Sequence, residues 1–191
     1  MAGGRSTVYA GRNRIGEGMR PPVAASAFTS TKTFANLPCN HRQWRHAGHC
    51  AFLHGYSRSY TFHFACSEVD ETHFVVDFGS LKRLKRWLEW MFDHTTLINA
   101  DDPELPLFET LHARQVIDLR VMPNVSMEAS ARYVWAYADA LVRAGTGGRA
   151  WCFAVEAREN DKNSAFYTVA RDGSEPAGPW GLPDPTSAAG D

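Results

Sequence analysis

Tyr56-Ser57-Arg58-Ser59-Tyr60-Thr61-Phe62-His63-Phe64-Ala65-Cys66 alternates large and small side chains along its whole length. Successive residues of a strand point to opposite faces, so Tyr56, Arg58, Tyr60, Phe62, Phe64 and Cys66 line one face of it. Residues 73–78 read as its antiparallel partner, returning across a turn at Asp70-Glu71. At Ser80 the period changes. Leu81, Leu84, Leu88 and Met91 recur at three- and four-residue steps, with Lys82, Arg83, Lys85 and Arg86 left for solvent, which predicts a helix capped by Ser80. Ser126 caps a second predicted helix running to about residue 144. Its apolar stripe is Ala131, Val134, Trp135, Ala138, Leu141 and Val142, and Gly145, Gly147 and Gly148 end it. Two strands follow, near 150–157 and 164–170. The order β-β-α-α-β-β predicts an α+β fold, an antiparallel sheet with two helices on one side.

The ends differ from this middle. Residues 1–25 mix Gly, Arg, Ser and Pro, and residues 171–191 carry Pro176, Pro179, Pro183 and Pro185 among Gly, Ser and Ala. Such segments bury too little apolar surface to offset the entropy of ordering them, so both read as flexible tails around one domain over 26–170. A net charge of -1 and a pI near 6.7 give no overall field for nucleic acid, which is not an expected partner. No run of 18 apolar residues is present to span a membrane. Cys39, Cys50, Cys66 and Cys152 lack the spacing of a small stapled scaffold, and reduced thiols in a cytoplasmic protein are the expectation.

Five of the eight histidines fall between 41 and 63, beside two cysteines. On a strand beginning near residue 50, Cys50, His54 and Tyr56 would share a face; if 36–42 is extended too, Cys39 and His41 share another. Zinc takes imidazole nitrogen and thiolate sulfur, and a catalytic site keeps three protein ligands with one position open. His63, His73 and His112 read as structural or exposed, and Cys66 and Cys152 as packed small hydrophobes.

Several separated motifs occur in one order. They are Asn40-His41-Arg42, then Cys50-Ala51-Phe52-Leu53-His54-Gly55, then Val76-Asp77-Phe78-Gly79-Ser80-Leu81-Lys82, and then Asp93-His94-Thr95-Thr96-Leu97-Ile98-Asn99. Ser126-Met127-Glu128 and Glu159, eight residues before Tyr167, complete the series. In this order the chain resembles the 6-pyruvoyl-tetrahydropterin and 6-carboxy-tetrahydropterin synthase family over about two thirds of its length. The resemblance implies the tunnelling fold, whose β-β-α-α-β-β subunits assemble into barrels, commonly hexamers, with sites between subunits. It implies Zn2+ held by His41 and His54, Cys50 as base, Asp93 orienting His94 as acid/base partner, and Glu159 facing the amino and ring N–H groups of a pterin triphosphate substrate. The cysteine four residues before the histidine is similar to the 6-carboxy enzymes of queuosine, preQ0 and 7-deazaguanine formation. Pyruvoyl-forming or aldolase-type chemistry, or pterin binding without turnover, are the alternatives. The substrate's triphosphate could meet Lys82 to Arg86, or Arg42 and Arg45, although surface charge is the plainer reading of both.

The chain departs from the family pattern twice. Where the family's His-Gly-His supplies a third zinc ligand this chain has Tyr56, and a phenol must lose a proton with a pKa of about 10 to ligate. Cys39, two residues before His41, is the expected replacement, with His46 and His49 as competitors. The charged run 156–163 also offers Glu156 as a second candidate pterin anchor, since Glu159 shares its face only if the strand bends or ends first.

Overall fold

Strand β1 (Phe28–His41) and strand β2 (His54–Cys66) run antiparallel, in register from Phe28 opposite Cys66 to His41 opposite His54. The computed structural model describes residues 28–169, so the tails expected over 1–25 and 171–191 lie outside the described residues. Of the segment expected to be extended over 36–42, residues 37–41 are, and β1 carries one irregularity between Phe34 and Leu37, where Asn36 takes a left-handed φ of 62°. Asparagine is among the few residues that adopt that conformation readily. Beyond it, Cys39 and His41 face one way and Asn40 the other.

The alternation read in 56–66 is observed. Arg58, Tyr60, Phe62 and Phe64 are fully buried, and β2 lies between β1 and β5 (Ala150–Arg158) with β6 (Ser164–Thr168) outside β5. Helix α1 (Lys82–Phe92) buries Leu84, Trp87, Leu88, Met91 and Phe92. The longer α-helix, Met127–Thr146, buries Ala131, Val134, Trp135, Ala138 and Val142. Trp87 stacks on Tyr137 at 4.0 Å between ring centroids, which joins the two helices, and the Tyr60 ring lies 4.9 Å from Phe92. The Ser126 side chain caps the long helix by accepting from the Ala129 N–H, and Gly147 ends it at φ 61°, a conformation that glycine adopts without strain.

Three expectations are corrected. Residues 73–78 form no strand, because both edges of β2 are already paired, to β1 and to β5. The segment instead closes on Asp70, whose Oδ1 accepts from the backbone of Thr72 and Phe74, and buries Val75 and Val76 in the core. Ser80 is not the cap of α1. A 3-10 turn over Phe78–Leu81 precedes the helix, with the Asp77 carboxylate accepting from Gly79 N–H, and Ser80 donates its hydroxyl proton to the Asp77 carbonyl. Finally, residues 93–125 hold elements the periodicity did not reveal. Strand β3 (Thr95–Asn99) lies parallel to β1, α2 (Leu105–Ala113) follows, and β4 (Leu119–Met122) lies parallel to β3; the Met127–Thr146 helix is therefore α3. The expected antiparallel frame is thus extended into one mixed six-stranded sheet, β4-β3-β1-β2-β5-β6. No helix among the described residues is long and apolar enough to cross a membrane.

Candidate metal and pterin site

At the end of the β1–β2 ladder the His41 and His54 rings face each other at 4.4 Å between centroids. One same-face rung inward, Cys39 pairs with Tyr56, and the Tyr56 ring meets His54 edge-on at 5.7 Å. Glu159 reaches the same place from β5. Ser59 pairs with Arg158, so Glu159, one residue on, falls beside Arg58 on the face opposite Arg158 and Glu156. Just past that residue the chain turns. Glu159 N–H donates to the Asn163 carbonyl, while the Asn160 side chain accepts from the backbone of Lys162 and Asn163. The strand period therefore separates the two acidic candidates: Glu159 stands with the histidines, whereas Glu156 pairs with Arg158 at 2.6 Å.

Among the described residues, the histidine, cysteine and carboxylate donors that converge are those of His41, His54 and Glu159, all within 4.8 Å of one another. His41 Nε2 lies 3.4 Å from Glu159 Oε1. His54 Nδ1 lies 2.7 Å from the Phe52 carbonyl, which can only accept, so Nδ1 carries the proton and the lone pair of Nε2 is free. His41 Nδ1 is buried without a hydrogen-bond partner among the described residues. Two imidazoles and a carboxylate are a donor set that zinc uses in catalytic sites, and the residues fit a divalent ion.

The groups behind this triad are buried and charged. Arg58 is fully buried and donates to Ser130 Oγ at 2.9 Å and to the Val125 carbonyl at 3.2 Å. Burial, followed by the Arg58 and His54 charges, pushes the His41 pKa down to about 3, so its imidazole is neutral and able to ligate at pH 7. Burial raises the Cys39 thiol, an effect the Arg58 charge opposes and the Glu159 charge reinforces. Arg58 itself stays charged although burial works against it, because Tyr60, Cys39 and Glu159 favour the cation.

The remaining candidates stand elsewhere. Cys50 is exposed and lies on a single 3-10 turn, His49–Ala51, rather than on the strand. Backbone bonds from Ala51 to Gly48, from Phe52 to His49 and from Gln43 to Cys50 curl the segment, so Cys50 does not share a strand face with His54 and Tyr56. Asp93 ends α1, and its Oδ1 holds His94 Nδ1 at 2.6 Å; the His94 side chain is 85% exposed and its backbone sits at φ 57°. Cys39, Asn40, Tyr56, Ser57, His94 and Thr95 are among the residues lining an open cleft there, so the cleft draws on both faces of the β1–β2 edge. A Cβ on Gly55 would stand 2.3 Å from Asn40 Oδ1 and 3.1 Å from the Cys39 carbonyl, so a larger residue there would displace the Asn40 side chain. Cys39, His46 and His49 lie outside the converging donor group; His46 Nδ1 accepts from Gly48 N–H.

Two roles were not read from the sequence. Arg58 had been placed on the inward face by the alternation, and a charge on that otherwise apolar face was the available signal. Asn99, the last residue of the Asp93–Asn99 motif, is a buried strut: it donates to Gln43 Oε1 and accepts from Val125 N–H, tying the 42–48 loop to the start of α3. Arg42 and Arg45 are engaged by Asp102 and Asp101, at 2.9 and 2.7 Å.

Comparison with known proteins agrees with this fold. The sequence profile of the family described as 6-pyruvoyl tetrahydropterin synthase matches residues 30–170. The 6-carboxy-5,6,7,8-tetrahydropterin synthases of Rickettsia typhi and Rickettsia conorii are each 36% identical to it, over 71 and 66 residues, which is 37% and 34% of this chain. The chain spans about half the length of these curated relatives, 51% and 48%. An uncharacterized protein of Wolinella succinogenes superposes with a TM-score of 0.65 at 20% identity, over 76% of this chain and 99% of its own. The 6-pyruvoyl tetrahydropterin synthase of Caenorhabditis elegans gives 0.50 at 17% identity, over 76% and 97%. At these identities the structures show a shared fold.

Proposed function

Because this chain belongs to the 6-pyruvoyl tetrahydropterin synthase family, we propose that it is a zinc-dependent lyase that converts 7,8-dihydroneopterin triphosphate to 6-carboxytetrahydropterin on the route to 7-deazaguanines. The observation that carries this reading is the convergence of His41, His54 and Glu159 in a chain whose Cys50 precedes His54 by four residues. The likeness to the Rickettsia 6-carboxy enzymes supports the choice of product.

His41 and His54 would hold the ion, which when bound supplies a positive charge that stabilises oxyanion character on the substrate side chain. The hydrogen bond from His54 Nδ1 to Phe52 fixes the tautomer that presents Nε2. Cys50 takes the proton from the side-chain carbon; its exposed position on the turn before β2 leaves it free to meet a substrate arriving from solvent. Asp93 fixes the His94 ring through Nδ1, leaving Nε2 to give or take a proton. Glu159 accepts from the pterin's amino and ring N–H groups, as a carboxylate does best opposite adjacent donors.

His94 lines an open cleft with Cys39, Asn40 and Tyr56, its side chain is 85% exposed, and it is not in the converging His41–His54–Glu159 group. The dyad of one chain would serve the metal site of a neighbouring copy in a homo-oligomer, in keeping with the sites between subunits that the family resemblance implies. The test is incubation of zinc-loaded protein with dihydroneopterin triphosphate, with products read by mass beside a Cys50→Ala control. Formation of 6-carboxytetrahydropterin and acetaldehyde, abolished in the control, supports the reading. A different pterin product moves it to a sister activity, and binding without turnover replaces it with a pterin-binding role.

A further inference from the structure

We propose that Glu159 is the third protein ligand of the metal site, so that this chain builds a two-histidine, one-carboxylate centre where its relatives' pattern has a third histidine and this chain has Tyr56. The inference rests on the metal-dependent reading above and deepens it.

Three observations converge on it. The first is spacing. Tetrahedral zinc with bonds of about 2.0–2.1 Å holds neighbouring ligand atoms about 3.3 Å apart, and His41 Nε2 and Glu159 Oε1 stand at 3.4 Å. The second is selectivity within the fold. Cys39 shares the histidines' sheet face, yet it sits one rung deeper, paired with Tyr56, and its sulfur is not in the converging group. The Tyr56 ring lies edge-on against His54 and is 40% exposed, packed beside the site as a wall. The third is support from behind. The turn at Asn160 and Asn163 fixes where Glu159 leaves β5, and the buried Arg58 guanidinium, held by Ser130 and Val125, places a compensating charge near a carboxylate that would otherwise be costly to bury.

The assignment has a consequence for substrate binding. A Glu159 that ligates through Oε1 would keep only Oε2 for a pterin N–H, in place of the two-donor contact given under the proposed function, and a second acceptor would have to meet the other donor. Period two keeps Glu156 from that role, because it lies on the opposite face and is paired with Arg158.

The experiment measures zinc affinity of the full-length protein by competition with a chromophoric chelator, with no substrate present. Wild type is compared with Glu159→Gln, Tyr56→Phe and Cys39→Ala, and each is also loaded with Co2+ for its visible spectrum. The expected result is a loss of zinc affinity of about 100-fold or more in Glu159→Gln, with a changed cobalt spectrum, while Tyr56→Phe and Cys39→Ala keep wild-type affinity. Should Glu159→Gln fail to fold, Glu159→His, which exchanges one donor for another, retains zinc if Glu159 is a ligand and loses it if its role is structural. Wild-type affinity in Glu159→Gln, or a larger loss in Cys39→Ala or Tyr56→Phe, overturns the assignment. Turnover of dihydroneopterin triphosphate by the wild type is read separately, so the enzymatic reading can stand while this ligand assignment falls.

Discussion

The His41–His54–Glu159 group and the Cys50 and Asp93–His94 groups differ in how the fold treats them. The first is built into the sheet. Its members come from three neighbouring strand ends, backed by a fully buried Arg58, and their donor atoms converge within one chain. The second is left on loops: Cys50 on an exposed turn, and His94 mostly in solvent just past the end of α1. An ion needs several donors preorganised in a rigid frame, which a single sheet can supply. Groups that exchange protons need only reach the substrate, and under the proposed mechanism the exposure of Cys50 and His94 suits that role.

Substitutions should therefore separate activity from stability according to which group they touch. The largest effect is expected in Cys50→Ala, a loss of about 10²- to 10⁴-fold in turnover, with zinc content unchanged and a stability change within about 0.5 kcal/mol because the residue is exposed. Turnover kinetics beside thermal unfolding check this, and a large fall in stability would mean that Cys50 belongs to the buried frame. Arg58→Ala is the converse case. It removes a buried cation with its hydrogen bonds to Ser130 and Val125 and leaves Glu159 without its nearby positive charge, at a cost of about 3–5 kcal/mol; urea unfolding of metal-free protein measures it.

The buried frame also has a pH signature. Burial raises the Cys152 thiol above its ordinary 9.0 and the Tyr60 phenol from 10.0 to about 12. Both stay protonated in the folded protein, while the unfolded chain releases these protons at the ordinary values. The stabilisation is therefore complete below pH 9 and declines as pH rises through 9 to 12. Thermal melts across that range should fall steadily, and a flat profile would show that these groups are solvated. Ser126→Ala, which removes the α3 cap but leaves the backbone bonds of Val125 and Ser130 in place, gives the smallest effect, about 1 kcal/mol in the same unfolding measurement with turnover preserved.

How much of this was legible in the sequence follows from the range of the forces involved. Period two in 56–66 and the helical steps in 81–91 and 127–142 are local, so the strand, both helices and their buried faces could be read directly. The 3-10 turns at Cys50 and Phe78 follow from hydrogen bonds over three residues, whose side-chain signal resembles that of an extended or helical end. β3 and β4 are short and parallel. Buried throughout, Thr95–Asn99 shows no alternation, so its pairing to β1 left no periodic trace. The two histidines were visible through their spacing. The placement of Glu159 with them was not, because it depends on the β2–β5 register and on the turn at Asn160, which only tertiary pairing sets.

The most direct test of the account is complementation between two inactive variants, Cys50→Ala and His94→Ala, each zinc-loaded and then mixed by co-expression. The account predicts that each alone forms no product from dihydroneopterin triphosphate, and that mixed oligomers regain turnover through sites pairing an intact Cys50 from one copy with an intact His94 from another. Mixed oligomers that remain inactive, or full activity in His94→Ala alone, would contradict it.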